Sequence, residues 1–214
     1  MLIENKVSKQ FINLTVQLKC SIFAFMNDKT DTREQLLEVA CQTFAKFGYK
    51  KTTLDDIAAL SGKGKTAIYY YFNSRDDIYK AVLEKEIMLA LQSIRQAIAS
   101  SNANEDKVRA YIESRMTIGS QTPVMNEALH EVKLKNSELV DEVVTRYANE
   151  KVKILTQILQ DGINNHVFKI EEPDIAALAI ETALMGLDSD NQRNGFNPQR
   201  SEKLIKLLFY GLLH

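Results

Sequence analysis

The chain is 214 residues long, 45% hydrophobic and 26% charged, values close to those of ordinary globular proteins, which excludes a disordered or fibrous chain. Its formal net charge is −1, so no global basic field announces a nucleic acid, although a neutral total leaves room for a local basic patch. Only eight glycines and three prolines interrupt it, and no apolar run is long enough to span a bilayer, so the expectation is a mostly helical protein outside the membrane.

Residues 1–30 read as a poorly ordered N-terminal extension. The start, "MLIENKVSKQFINLTVQLKCSIFAF", has a charged beginning and an apolar stretch, but Lys19 interrupts it and no small-residue cleavage site follows, which argues against a signal peptide. Met26 then opens "MNDKTDTREQLLEVA", where a helix begins cleanly, so residues 1–25 read as an extension created by a start codon assigned too early. The two cysteines, Cys20 and Cys41, have no CxxC spacing and no nearby histidine pair, which argues against a disulfide framework and against zinc; no metal and no cofactor is expected.

From Thr32, the apolar residues Leu36, Leu37, Ala40, Phe44 and Phe47 recur at helical spacing, and Gly48 supplies a left-handed cap. After "YKKTT", Thr53 is a good N-cap with Asp56 as its capping-box partner, opening the short helix "LDDIAAL" that ends at Ser61-Gly62. A third helix runs from Gly64 to Phe72, and Asn73-Ser74 breaks it. Three short helices with a glycine turn between the last two match a helix-turn-helix arrangement.

Beyond it the helices lengthen. One spans Asp76 to Ala99, with Ile78, Val82, Leu83, Ile87, Leu91 and Ile94 on one stripe; others span Lys107 to Gly119, Pro123 to Lys135 and Ser137 to Ile163. "DGINNHVFKIEEP" reads as a loop, Pro173 to Leu187 as a helix, "DSDNQRNGFNPQR" as an exposed polar loop, and Ser201 to Leu213 as the last helix. The fold class is therefore all-α with about nine helices. Its domains are a helix-turn-helix domain at 31–76 and a larger helical domain at 77–214.

The stretch "SGKGKTAIYYYF" contains Gly64-Lys65-Thr66, the ending of a phosphate-binding loop. That loop needs a glycine where Ala59 stands and a strand leading into it, whereas a helix precedes it here, so nucleotide binding is rejected. A helix entering a DNA major groove fits better. Lys65 can reach a guanine edge or a phosphate, Thr66 and Ala67 are small enough to approach a thymine methyl, and Tyr69, Tyr70 and Tyr71 offer hydroxyls and ring faces. Ile68 and Phe72 would turn back into the core, and Lys50, Lys51, Lys63 and Arg75 surround the helix as a basic rim. Three adjacent tyrosines cannot all face one core, so at least one is exposed.

Residues 32–80, with the run "GYKKTTLDDIAALSGKGKTAIYYYFNSRDDI", resemble the DNA-binding domain of the TetR family of transcriptional repressors. Gly, Thr-Thr, Ile-Ala, a glycine-containing turn, and an aromatic stretch ending in Phe follow in the family's order. The resemblance implies a cytoplasmic homodimer that binds operator DNA and represses transcription until a small-molecule effector enters the C-terminal body. By position, it implies that Thr53 caps the second helix and meets a phosphate, that Lys65, Thr66 and Ala67 lie nearest the bases, that Tyr69, Tyr71 and Arg75 hold the backbone, and that Tyr70 sits at the groove edge. Where the family has Val and Ser before this lysine, the chain has Lys63 and Gly64, so the usual hydroxyl cap of the third helix is absent.

In the body, two stripes suggest a dimer interface through the last two helices: Ala176, Ala179, Ile180, Ala183, Leu184 and Leu187, and Leu204, Ile205, Leu208 and Leu212. Tyr111, Arg115 and Met116 are the candidate ligand contacts, with Arg115 set to meet an acidic group; an ion pair of Arg115 with Glu127 or Glu131, or a snorkelling side chain, is the reading the spacing favours. His130 beside Glu131 reads as a surface residue, and no nucleophile–base set is present, so no enzyme activity is expected. An effector-independent architectural DNA-binding protein and a helical enzyme using the C-terminal pocket are the alternatives.

Overall fold

The computed structural model describes residues 32–118, 122–133, 138–194 and 198–213, and every regular element among them is an α-helix. The helices are α1 (Thr32–Phe47), α2 (Leu54–Ser61), α3 (Lys65–Tyr71), α4 (Arg75–Ala99), α5 (Asn104–Ile118), α6 (Pro123–Lys133), α7 (Glu138–Asn164), α8 (Pro173–Asn194) and α9 (Pro198–Leu213). The predicted extension 1–30, with Cys20, lies outside the described residues. Among those residues, no helix is long and apolar enough to cross a membrane.

The chain divides into two compact units, with the boundary inside α4 between Glu86 and Ile87. The first unit holds α1, α2, α3, the start of α4, and α6. Its core follows the apolar spacing: Leu36, Leu37, Ala40 and Phe44 of α1 meet Ile57, Ile68, Phe72, Ile78 and Tyr79, all buried. Phe44 and Tyr79 pack edge to face with centroids 5.0 Å apart, a geometry that suits the ring quadrupoles. Gly48 ends α1 at φ 79°, and a β-carbon there would lie 2.7 Å from Glu127 Oε1 of α6. Phe47, expected on the apolar face of α1, is 45% exposed instead.

Glu86 is a buried carboxylate in this unit. Its Oε2 accepts from Met125 N at 2.7 Å, and its Oε1 lies 3.5 Å from both Val124 N and the Cys41 thiol. The contacts are to the first turn of α6, where unpaired N–H groups and the helix dipole favour a negative charge. Burial nevertheless dominates and pushes its carboxyl up to about 7.

The second unit holds the rest of α4, α5, α7 from Asp141, α8 and α9. Val108, Tyr111 and Ile112 of α5, Val143, Tyr147, Leu155 and Leu159 of α7, and Ala177, Ile180 and Leu184 of α8 form its core. Helices α5 and α9 begin earlier than the sequence suggests, at Asn104 and Pro198 rather than Lys107 and Ser201, and α8 ends later than expected. Helix α7 ends at Asn164, one residue past the expected Ile163, and Gly162 near its end is a contact position: a β-carbon there would lie 2.0 Å from Phe168 Cδ2. His166, at φ 59°, then turns the chain, and the amides of Val167 and Phe168 donate back to the Gly162 carbonyl at 2.8 and 3.2 Å. Helix α8 continues past Leu187 to Asn194, so the segment "DSDNQRN", predicted as loop, is helical.

The stripe on α8 is also rotated. Ile180 and Leu184, and Ile205 on α9, are buried within the unit, so they serve its own core. Among the described residues of these two helices, the large apolar side chains left in solvent are Ile175, Leu178 and Met185 on α8 and Leu207 on α9.

Candidate nucleic-acid interface

Helix α2 starts at Thr53 for the reason its sequence suggests. Thr53 Oγ1 accepts from Asp56 N at 3.2 Å, while the Asp56 carboxylate accepts from Thr53 N at 2.8 Å and from the Thr53 hydroxyl at 2.6 Å. That is a complete capping box. The bonds from the Thr53 side chain and backbone hold the Asp56 carboxyl below the usual range. They also occupy the hydroxyl hydrogen and the amide of Thr53 inside the box.

Gly62, at φ 65°, ends α2 in the left-handed conformation a β-carbon disfavours, and the chain turns through Lys63, half-buried, into α3. Gly64 is the N-cap of α3 and has no side chain to offer; its carbonyl accepts from Ala67 N at 2.9 Å. Ile68 and Phe72 face the core at 1% and 5% exposure, which turns the other side of α3 to solvent. Lys65, Thr66, Tyr69 and Tyr70 are exposed there, Tyr70 at 81%, with Ala67 and Tyr71 half-buried at the flanks. The Tyr70 and Tyr71 rings meet edge to face, centroids 4.9 Å apart, so one exposed ring braces the other.

Arg75 has a second occupation besides the rim predicted for it. Its guanidinium lies 4.3 Å from the centroid of Tyr49, donates from Nη1 to the Thr52 carbonyl at 3.1 Å, and stands 3.7 Å from Asp76 Oδ1. Tyr49 in turn donates its hydroxyl to Asp76 at 2.5 Å. Sequence reading missed Tyr49 in this role, though an aromatic between Phe44 and the start of α4 was a usable signal. It also missed Asp55, whose Oδ1 pairs with Lys65 Nζ at 2.7 Å; the bond and charge of Asp55 raise the lysine pKa.

The candidate ligand residues of the body are held differently. Tyr111 donates its hydroxyl to Glu181 Oε1 at 2.6 Å, Lys151 Nζ reaches Glu181 Oε2 at 2.7 Å, and Arg115 Nε lies 2.9 Å from Oε1. Arg115 Nη1 pairs with Asp188 at 2.8 Å. Burial would raise the Glu181 carboxyl, but the charges of Arg115 and Lys151 hold it below its ordinary value. Lys151 is lowered, chiefly by burial, and burial pushes Tyr147 up to about 12. The described partners of Arg115 are thus on α8, which packs on α5 within the same unit, while the Glu131 side chain lies outside the described residues. Met116 is half-buried on the same helix.

The family profile "Bacterial regulatory proteins, tetR family" matches residues 36–82, the segment that carries the capping box and α3. The uncharacterized HTH-type transcriptional regulator YhgD of Bacillus subtilis is 25% identical over 158 residues, covering 70% of this chain and 78% of the relative. The HTH-type transcriptional regulator RutR of Escherichia coli is 37% identical over 84 residues, 38% of this chain and 40% of its own. Among solved structures, the fatty acid degradation regulator FadR from Bacillus halodurans superposes with a TM-score of 0.68 at 18% identity, over 84% of this chain and 98% of that one.

Proposed function

Since the chain belongs to the TetR family of DNA-binding transcriptional regulators, we propose that it acts in the cytoplasm as a homodimeric repressor that leaves its operator when a small molecule binds the body. The observation that carries the DNA-reading part is the exposed face of α3 with Lys65, Thr66, Tyr69 and Tyr70; Lys50 and Lys51 are exposed in the loop before α2, and Lys63 is half-buried in the turn before α3. In this reading Lys65, Thr66 and Ala67 read bases, Tyr69 and Tyr71 hold the backbone, Tyr70 sits at the groove edge, and Lys63 supplies charge. Thr53 and Arg75 act mainly by holding the head in shape, with any phosphate contact made by atoms outside their internal bonds.

Dimerisation through α8 and α9 is supported by Ile175, Leu178, Met185 and Leu207, large apolar side chains left in solvent on those helices. Thr182 and Gly186, exposed on the same helix as three of them, allow a second helix to approach closely. A two-fold dimer asks for a palindromic operator. For the effector, Tyr111, Arg115 and Met116 remain the proposed contacts: a ligand with an acidic group would compete with Glu181 or Asp188 for Arg115. Helix α4 belongs to both units, and its continuity offers a route from effector to head.

The test is a binding assay of the full chain on the DNA upstream of its own gene. Lys65→Ala is expected to weaken binding about tenfold or more and relax sequence preference, whereas Tyr69→Phe lowers affinity and leaves preference intact. Unchanged binding by both variants removes α3 as the reading helix.

A further inference from the structure

Asp55 and Asp56 are neighbours in the first turn of α2, and the head uses them in different ways. Asp56 is consumed by the capping box. Asp55 turns to the next helix and holds the ammonium of Lys65, the first residue of α3, at 2.7 Å. Both side chains are largely exposed, so burial does not enforce the pair, and an ion pair of this kind adds little to stability. What it changes is where the charge sits. The N-cap of α3 is Gly64, which has no side chain with which to fix the first turn.

We propose that Asp55 is a positioning residue for sequence reading: it holds the Lys65 ammonium against α2, commits that charge to a base edge, and keeps it off neighbouring phosphates. The inference rests on α3 being the DNA-reading helix. An ammonium carries three N–H donors; Asp55 takes one, which leaves two for paired acceptors such as O6 and N7 of guanine. Without the acid, the flexible four-carbon stem lets the charge roam, and the partner most abundant on any DNA is a phosphate oxygen. The carboxylate acts a second way. It is a negative charge beside the reading face, so it opposes phosphates that approach out of register and penalises binding to DNA of any sequence.

The full chain is used to select duplexes from a randomised library, and affinities are then measured at one salt concentration for the enriched duplex and for random-sequence duplex of equal length. Wild type, Asp55→Asn, Lys65→Met and the double variant are compared. In the wild-type background Asp55→Asn is expected to tighten binding to random duplex and to lower the enriched-to-random ratio about five- to tenfold, within what one lysine–guanine contact supplies. In the Lys65→Met background the same change leaves the ratio within about twofold, since the group being positioned is gone. A ratio that Asp55→Asn leaves unchanged, or lowers equally in both backgrounds, overturns the proposal and makes Asp55 an ordinary surface charge. A wild-type chain that enriches no sequence overturns the reading role of α3 itself, and the role of Asp55 with it, so the two failures are told apart.

Discussion

In the first unit the groups with chemistry to offer stand in solvent: Tyr70 is 81% exposed, and the Lys65–Asp55 pair lies open. In the second unit the comparable groups are closed in on one another. Arg115, Lys151 and Glu181 are nearly sealed from water, and each has its partner within the same protein unit. The difference bears on the role proposed for each set. An exposed lysine loses little water when it meets DNA and can exchange partners, whereas a buried ion has already lost its water and depends on every neighbour.

The widest gap between the two regions appears on deleting one charge from each. Arg115→Ala leaves Glu181 with Lys151 and Tyr111 but strips Asp188 and the carboxylate of their guanidinium, and removal of one member of a buried pair costs about 3–5 kcal/mol. Urea denaturation followed by circular dichroism measures this; a loss below about 1 kcal/mol, the scale of surface pairs, erases the contrast.

Glu86 sharpens the comparison from the other side, as a buried carboxylate inside the first unit. Its pKa lies above the ordinary glutamate value, so the folded state holds the proton more tightly than the unfolded chain. The resulting stability is fully present below the ordinary value of 4.5 and is lost as pH rises through about 7. The difference in unfolding free energy between wild type and Glu86→Gln is expected to change by about 2–3 kcal/mol from pH 5 to pH 8.5, with the variant relatively more stable at the alkaline end. A difference independent of pH assigns the anion full compensation by the α6 amides and Cys41.

Much smaller effects are expected at the exposed helix starts. Thr53→Ala opens the capping box and costs about 1 kcal/mol, read as a lowered melting temperature. Gly64→Ser moves the other way by a few tenths, roughly 0.3 kcal/mol, because φ −69° and ψ 154° suit a side-chain cap and nothing lies within 4 Å of a new β-carbon. A loss at Gly64 on the scale of Thr53→Ala contradicts that geometry.

The same contrast governs what the sequence disclosed. The head was legible because its signals are local: Thr53 and Asp56 stand three apart, Gly62 marks the left-handed turn, and Ile68 with Phe72 define one face of a short helix. The body was legible in the number and type of its helices and not in its contacts. Arg115 meets carboxylates 66 and 73 positions away, a pairing no window of sequence contains. Asp188, read as the start of a polar loop, is instead inside α8 and bound to that arginine. The apolar stripe of α8 was recognised but its rotation was not, because Ile180 and Leu184 could equally face a partner or the core until α5 was placed beside them. Asp55 was overlooked for the same reason: only the packing of α2 on α3 brings it to Lys65.

Gly162 shows how a missing atom can constrain a lineage. The ring of Phe168 occupies the volume that any β-carbon at 162 would claim, and the reversal after α7 is built around that overlap. Two positions joined by neither charge nor hydrogen-bonding side chain are thereby coupled through volume: a larger residue at 162 fits without overpacking only beside a smaller residue at 168.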